Sequence, residues 1–139
     1  MEKSIQLVGR VFLAHMFILA GLSKVSAYAG TQQYMEAMGV PGVLLPMVIL
    51  LEVVGGFALL LGWQTKIAAA MLAVFSIVAA IVFHANFADQ MQMVMFMKNI
   101  SIAGGLLMLV SYGAGAYGLD NRNTKPRISK GTSDTQYSS

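Results

Sequence analysis

The chain contains no cysteine and little charge, and both shortages restrict what it can be. Without cysteine it forms no disulfides, thiol relays, iron–sulfur clusters or cysteine–zinc sites. Charged residues make up 11% of the 139 residues, and a net charge of +3 does not indicate nucleic acid as a partner. Hydrophobic residues make up 57%, so a soluble domain of this size would lack the polar residues to cover its surface. The composition therefore predicts a protein embedded in a lipid bilayer.

Four apolar segments are long enough to cross a membrane as helices. The connections between them are short, which leaves no room for a separate soluble domain. The sequence therefore predicts an all-α fold, an integral membrane four-helix bundle in one domain. Its predicted helices cover about residues 4–25, 43–62, 66–86 and 97–118, within a domain of residues 1–119. The remaining residues, 120–139, are polar and are predicted to form a disordered cytoplasmic tail.

The distribution of lysine and arginine predicts the orientation of the bundle. If four helices alternate across the membrane, most cations fall on one side, namely Lys3, Lys66, Arg122, Lys125, Arg127 and Lys130. The positive-inside rule then places both termini on the cytoplasmic side of the membrane. Segment 26–42 becomes an outer loop at the membrane interface. A cleaved signal peptide is the alternative for the first segment, but Arg10 within it and Lys24 near its end argue against cleavage.

Glu52 is the one charged residue between Val43 and Gly62, and it falls near the middle of that segment. An ionised carboxylate at such a depth costs about 3 kcal/mol or more, so it needs a partner or a polar cavity. Counting rise along the helices puts Arg10 about 9 Å and Glu52 about 15 Å from the cytoplasmic ends. We therefore predict a buried polar core in which Arg10 pairs with Glu52, with His15 as a competing partner. The alternative is that the pair only locks two helices together.

A second polar group is expected at the outer ends of helices one, three and four. It consists of Lys24, His84, Lys98 and Asn99. If these ends are adjacent, the side chains line a pocket that holds a quinone carbonyl or a small anion. The alternative is that the two lysines extend to the lipid headgroups while His84 ends helix three.

Metal sites are not supported by the remaining candidates. His15 and His84 differ in predicted depth by roughly 11 Å, which is unsuitable for two axial ligands of one haem. Met91, Met93, Met95 and Met97 alternate along the chain, and thioether sulfurs can bind copper(I). Period-two spacing scatters these sulfurs around a helix, so an apolar approach to helix four is the preferred interpretation.

These residues resemble the DoxX family of small bacterial and archaeal membrane proteins. The resemblance extends over about residues 5–121 and implies a four-helix fold with cytoplasmic termini. It also implies an association with quinone-linked thiosulfate oxidation or with oxidative-stress complexes, without one defined reaction. The matching pieces are Gly9-Arg10, Phe17, Ala20-Gly21, Lys24, Glu52, Gly55-Gly56, Gly62, His84, Lys98-Asn99, Gly104-Gly105, Gly113, Gly115 and Leu119-Asp120.

Together these observations predict a quinone-interacting or accessory subunit of a membrane redox system. The chain offers no intrinsic cofactor site, so electrons are expected from a redox partner subunit, with quinone as the small-molecule ligand. The expected partners are the lipid bilayer, that subunit and further copies of the chain, but not nucleic acid. The alternative is a non-enzymatic membrane scaffold or a small-solute carrier.

Overall fold

The computed structural model describes residues 2–121, and five α-helices make up most of this part of the chain. They are α1 Glu2–Ser26, α2 Tyr28–Ala37, α3 Leu45–Leu61, α4 Thr65–Phe83 and α5 Gln90–Tyr112, with 3-10 turns at Gly42–Leu44 and Leu119–Asn121. Four of these helices, α1, α3, α4 and α5, are long and apolar enough to cross a membrane. The predicted all-α fold with four membrane spans is therefore confirmed. The predicted tail from residue 122 onward lies outside the described residues.

Two of the predicted helix boundaries need correction. The segment expected to be a loop, 26–42, contains the ten-residue helix α2. The last long helix spans 90–112 and not 97–118, because the carboxylate of Asp89 accepts a hydrogen bond from the Met91 amide and caps its start. Gly113, with a φ of 79°, ends the same helix. The methionines expected before the helix are therefore part of its first two turns.

Helices α1 and α3 pack closely because glycines face the partner helix at two levels. A Cβ atom on Gly21 would lie 2.6 Å from Val53 Cγ2, and one on Gly56 would lie 2.7 Å from Ile18 Cγ1. Small residues permit this close approach of helices in lipid. The two contacts fix an antiparallel register in which Gly21 lies level with Glu52 and Val53.

The remaining contacts divide the bundle into two tightly packed pairs. Helix α4 packs along α5 as extensively as α1 packs along α3, whereas α3 meets α4 over a smaller area and α1 touches α5 at few points. The core lies between the pairs and contains mostly alanine and leucine, including Ala14, Leu59, Ala69, Leu72 and Leu106. Gly104 of α5 has open space where a Cβ would lie, so it makes no close helix contact. The looser seam between α1 and α5 leaves room for a cavity.

The two ends of the bundle differ in how they are closed. We call the end where α1 begins and α5 ends the tail end, and the opposite end, next to α2, the cavity end. At the tail end the Asp120 amide donates to the Gly62 carbonyl at 2.8 Å. The Asp120 carboxylate accepts from the backbone amides of Gln64 at 2.7 Å and Thr65 at 2.9 Å. Asp120 thus caps α4 and belongs to the folded domain, so the predicted boundary after residue 119 is too early.

Asp120 makes the tail end sensitive to acid. Its partial burial raises the pKa, but hydrogen bonds from Thr65 and Gln64 and the charge of Arg10 outweigh this and hold the pKa below its usual value. A carboxylate with a lowered folded-state pKa stabilises the fold above its unfolded pKa, about 3.9, and this contribution is lost as pH falls through the folded pKa.

We expect the protection of the Gln64 and Thr65 amides against hydrogen exchange, taken relative to the intrinsic exchange rate at each pH, to fall below about pH 4. Asp120→Ala should already show lower protection at pH 7, because loss of a helix cap costs about 1 kcal/mol. The matched control, Asp120→Asn, keeps an acceptor but cannot titrate, so its protection should not fall in acid. An identical acid response in Asp120→Asn would assign the effect to another group.

Candidate functional site

Glu52 forms a direct ion pair with Lys24 near the cavity end. The Lys24 Nζ donates to both carboxylate oxygens, at 2.6 Å to Oε1 and 2.8 Å to Oε2. The Glu52 side chain is 3% exposed, whereas the Lys24 side chain is 28% exposed. The pair follows from the register of α1 and α3, because Lys24 lies one helical turn beyond Gly21, which packs against Glu52. The lysine therefore neutralises the carboxylate while keeping a third N–H available.

The ion pair predicted between Arg10 and Glu52 does not form. Arg10 lies level with Gly62, where a Cβ would come within 2.8 Å of its Nη1 atom. Glu52 lies ten residues earlier along α3, which corresponds to about 15 Å of rise. The prediction measured depth from the ends of the apolar segments, and the packed register separates the two side chains further than a guanidinium can reach.

Arg10 instead binds backbone carbonyls at the tail end. It is 1% exposed, and its guanidinium donates to the carbonyls of Ala114, Tyr117 at 2.9 Å and Leu60 at 3.4 Å. The Leu60 carbonyl is in the last turn of α3, where acceptors have no partner within their own helix. The carbonyls of Ala114 and Tyr117 lie in the segment after α5. Arg10 therefore ties the segment after α5 to α1 and α3, and it forms no part of the polar site around Glu52.

His15 also lies outside the predicted polar core. It is exposed, and its Nδ1–H donates to the Phe12 carbonyl within the same helix. Of the three residues predicted for that core, Arg10, Glu52 and His15, Glu52 alone lies at the polar site. His15 faces away from Arg10 and Glu52, as the angle of about 140° between His15 and Arg10 around α1 would suggest.

A cavity of about 320 Å³ opens beside the Lys24–Glu52 pair, and all five helices contribute to its walls. We call it the Lys24–Glu52 cavity. Aromatic and methionine side chains form much of the wall, whereas polar groups are few. The lining residues are Met16, Phe17, Ala20, Lys24, Thr31, Tyr34, Met35, Val48, Glu52, Phe75, Ser76, Ala79, Phe83, His84, Met95 and Asn99. Such a volume, apolar with a few convergent polar groups, is typical of a small-molecule site.

Three of the four residues predicted for the outer pocket line this cavity. Lys24, His84 and Asn99 do so, and the Nδ1–H of His84 donates to the side-chain oxygen of Gln92 at 3.0 Å. Lys98 does not. It is exposed and lines a separate shallow groove on the outer face of α5. Adjacent residues on a helix point about 100° apart, so Lys98 and Asn99 cannot both face the cavity.

Helix α2 covers the cavity at its outer side. The Tyr34 ring stacks on Phe83 with 5.5 Å between ring centroids, and its hydroxyl donates to the Phe83 carbonyl at 3.4 Å. The Gln32 side chain donates to the Gly42 carbonyl at 3.2 Å and fastens the other face of the helix. Met35 is buried beneath it. Helix α2 therefore separates the cavity from the membrane surface.

Sequence reasoning missed Thr31, Tyr34 and Ser76 as parts of the site. Ser76 is buried, and it is the lone polar residue between Ile67 and Phe83. That isolation is the same signal that drew attention to Glu52. Thr31 and Tyr34 gave no comparable signal, because their position depends on α2 folding over the cavity.

A larger groove of about 670 Å³ lies on the flank between α3 and α4. Within residues 2–121, its lining contains no ionisable side chain, and Gln64 is its one amide. Such a surface matches the acyl chains around the bundle. The Lys24–Glu52 cavity is therefore the candidate for chemistry.

Comparison with known proteins identifies a membrane-protein family and individual inner membrane proteins that the chain resembles. The DoxX family model matches residues 5–85. Inner membrane protein YqjF of Escherichia coli (strain K12) is 53% identical over 114 residues, covering 82% of this chain and 88% of that protein. Inner membrane protein YphA of the same organism is 32% identical over 124 residues, covering 84% and 88%. No solved structure matches the chain.

Proposed function

Because the chain belongs to the DoxX family and is a multi-pass inner membrane protein, we propose that it is an accessory subunit of a membrane redox system. In this proposal the Lys24–Glu52 cavity binds the headgroup of a quinone. The supporting observation is the composition of the cavity, in which a neutralised ion pair and a few hydrogen-bond donors lie among aromatic walls.

The charge balance of the cavity favours a neutral ligand over a small anion. Lys24 and Glu52 contribute one charge each and bind one another directly. A small anion that bound the Lys24 ammonium would also lie close to the Glu52 carboxylate. The two negative charges would repel each other strongly at low dielectric. A neutral carbonyl oxygen, in contrast, can accept the third N–H of Lys24 without separating the pair. We therefore favour the quinone over the anion.

The walls suit a flat ring with acceptors at its edge. Phe17, Phe75 and Phe83 provide aromatic faces, which stack on planar rings. The side-chain amide of Asn99 and the hydroxyl of Ser76 provide donors on other sides of the cavity. These groups would hold and orient the ring, while electrons come from a partner subunit. A bound quinone supplies two-electron redox chemistry.

The orientation of the bundle is part of the proposal. Lys3 and Lys66 lie at the tail end, and the cations from Arg122 to Lys130 follow it in the sequence. The positive-inside rule places this end, with both termini, in the cytoplasm. The cavity would then lie in the outer half of the inner membrane.

The proposal predicts different effects for two neighbouring residues of α5. Asn99→Ala should weaken binding of a short-chain ubiquinone about five- to tenfold, as expected for one lost hydrogen bond. Lys98→Ala is the matched control and should bind as the unchanged protein does. Binding is measured by titration of the detergent-purified protein, after mass spectrometry has identified any copurified quinone. Equal affinities for both variants and the unchanged protein would contradict the assignment.

One observation favours a second candidate, a membrane scaffold without ligand. Lys24 and Glu52 satisfy each other and join α1 to α3, which a purely structural role also requires. A Lys24→Met/Glu52→Leu double variant distinguishes the two. A scaffold keeps its partner subunits in pull-down experiments after this change, whereas a quinone-binding subunit keeps its fold but loses the ligand.

A further inference from the structure

The Lys24–Glu52 cavity is covered in part by α2, whose Tyr34 is itself 45% exposed, and it is bordered by a seam between α1 and α5. On the outer side, the stacked rings of Tyr34 and Phe83 join α2 to α4. On the other side, α1 meets α5 through the contact between Leu13 and Gly105, with 3.6 Å from the Leu13 methyl groups to a Cβ built on Gly105. Beyond that contact, toward the cavity end, the two helices line the cavity and are separated by it.

The side chains at this seam are apolar at the edge and polar within. Met16 and Ala20 of α1 are half-buried, and Met95 of α5 is 43% exposed although it lines the cavity. Two described lining residues are exposed, Tyr34 on α2 and Met95 on α5, and Met95 is the one on a membrane-spanning helix. The cavity therefore reaches the surface of the bundle beside Met95. Since α1 and α5 are both long and apolar enough to cross a membrane, an opening between them would face lipid.

We infer that the seam between α1 and α5, bordered by Met16, Ala20 and Met95, is a lateral portal through which a ligand enters from the bilayer. The inference rests on the proposed function for its choice of ligand, and it narrows the ligand class. The ligand has a polar head with hydrogen-bond acceptors, which reaches Lys24 and Asn99, and an apolar tail that remains in the portal among the lipids. A water-soluble molecule without a tail is not the natural occupant.

The chemistry of the portal fits such a tail. Methionine is unbranched and flexible, so it adapts to apolar chains of different shape. The polar groups lie deeper, where Ser76 and Glu52 are almost fully buried. An amphipathic molecule that enters head first through the portal therefore meets apolar contacts around its tail and donors around its head.

The absence of cysteine permits a direct test. In Ser76→Cys the thiol reports access to the buried part of the cavity. The protein is reconstituted in liposomes at about pH 8.5, where an ordinary thiol is half ionised. It is then exposed either to a maleimide carried on a long acyl chain or to a membrane-impermeant sulfonated thiol reagent. We expect the acyl maleimide to react and the sulfonated reagent not to react.

A second substitution tests the route. Met95→Trp, added to Ser76→Cys, should slow the acyl maleimide by about tenfold or more, because an indole overfills a packed opening. Met97→Trp adds the same ring on the same helix outside the cavity and should leave the rate unchanged. Met95→Leu, in place of Met95→Trp, should restore the labelling rate of the Ser76→Cys variant. A thiol that reacts first with the sulfonated reagent, that reacts with neither, or that reacts equally in both tryptophan variants overturns the portal.

The same reporter separates this inference from the proposed function. A ubiquinone with a long tail should protect Ser76→Cys from the acyl maleimide if the cavity binds quinone. If labelling depends on Met95 but is not slowed by ubiquinone, the result supports the portal and excludes quinone as its ligand. Protection without dependence on Met95 would support quinone binding and overturn the portal.

Discussion

Lys24→Met is expected to destabilise the protein by about 3 kcal/mol or more, as found when one partner of a buried ion pair is removed. Methionine keeps most of the length of the lysine side chain but leaves Glu52, which is 3% exposed, without its cation. No other described side chain donates a hydrogen bond to this carboxylate. Reversible unfolding in mixed micelles, with the free energy compared between variant and unchanged protein, measures the effect.

Substitution of the other partner, Glu52→Leu, should destabilise the protein less than Lys24→Met. In Glu52→Leu the remaining charge belongs to Lys24, which is 28% exposed and can extend its ammonium toward the interface. The double variant Lys24→Met/Glu52→Leu removes both charges, and such replacements are often neutral or stabilising. It should therefore be more stable than Lys24→Met. Equal destabilisation by the two single changes, or a double variant as unstable as their sum, would contradict this account of the pair.

Arg10→Met should detach the segment that follows α5. The change removes the donor to three backbone carbonyls, those of Leu60, Ala114 and Tyr117. Each buried polar group left without a partner costs about 1 to 3 kcal/mol, so a total loss of about 3 kcal/mol or more is expected. A spin label at Tyr117→Cys, in a chain without other cysteines, should gain mobility. Lys3→Met is the matched control, since Lys3 is an exposed cation earlier in the same helix.

A substitution that keeps the charge of Arg10 should preserve only part of the stability at the tail end. Arg10→Lys retains a cation, but its compact ammonium cannot reproduce the planar fork of the guanidinium. Its stability should fall between those of Arg10→Met and the unchanged protein. If Arg10→Met left the label at residue 117 as immobile as before, the carbonyl contacts would not be what holds this segment.

Much of the fold could be predicted from the sequence because the bilayer imposes it. Long apolar segments must form helices there, since every backbone polar group needs an internal partner. The four helices long and apolar enough to cross a membrane were identified correctly for this reason. Arg10, Phe17 and Gly21 are buried on one face of α1, which packs on the face of α3 that contains Glu52.

The register between those faces could not be predicted in the same way. Sliding α1 along α3 by about four turns exchanges Lys24 for Arg10 as the partner of Glu52, and the apolar pattern tolerates both positions. The choice is made by close contacts at Gly21 and Gly56, which depend on the shapes of the facing side chains. Lys24 is therefore the partner, whereas the sequence-based prediction chose Arg10, with His15 as the competitor.

The parts of the site that depend on non-membrane segments were the least predictable. Helix α2 has ten residues and weak amphipathic character, so the same stretch was consistent with a loop. Asp120 lies in a polar stretch with a disordered composition, yet its backbone and carboxylate bind Gly62, Gln64 and Thr65. Both elements are ordered by tertiary contacts, which local sequence patterns do not encode.

The contacts of Arg10 have a consequence for how the protein is made. Its carbonyl partners are separated from it by 50 residues in one case and by 104 and 107 in the others. During synthesis the first helix leaves the ribosome with this guanidinium, while two of the three groups that will bind it have not yet been translated. The contacts of Arg10 are therefore complete only after residue 117 has been made. A product truncated within α5 would leave the guanidinium with the Leu60 carbonyl alone of its three partners.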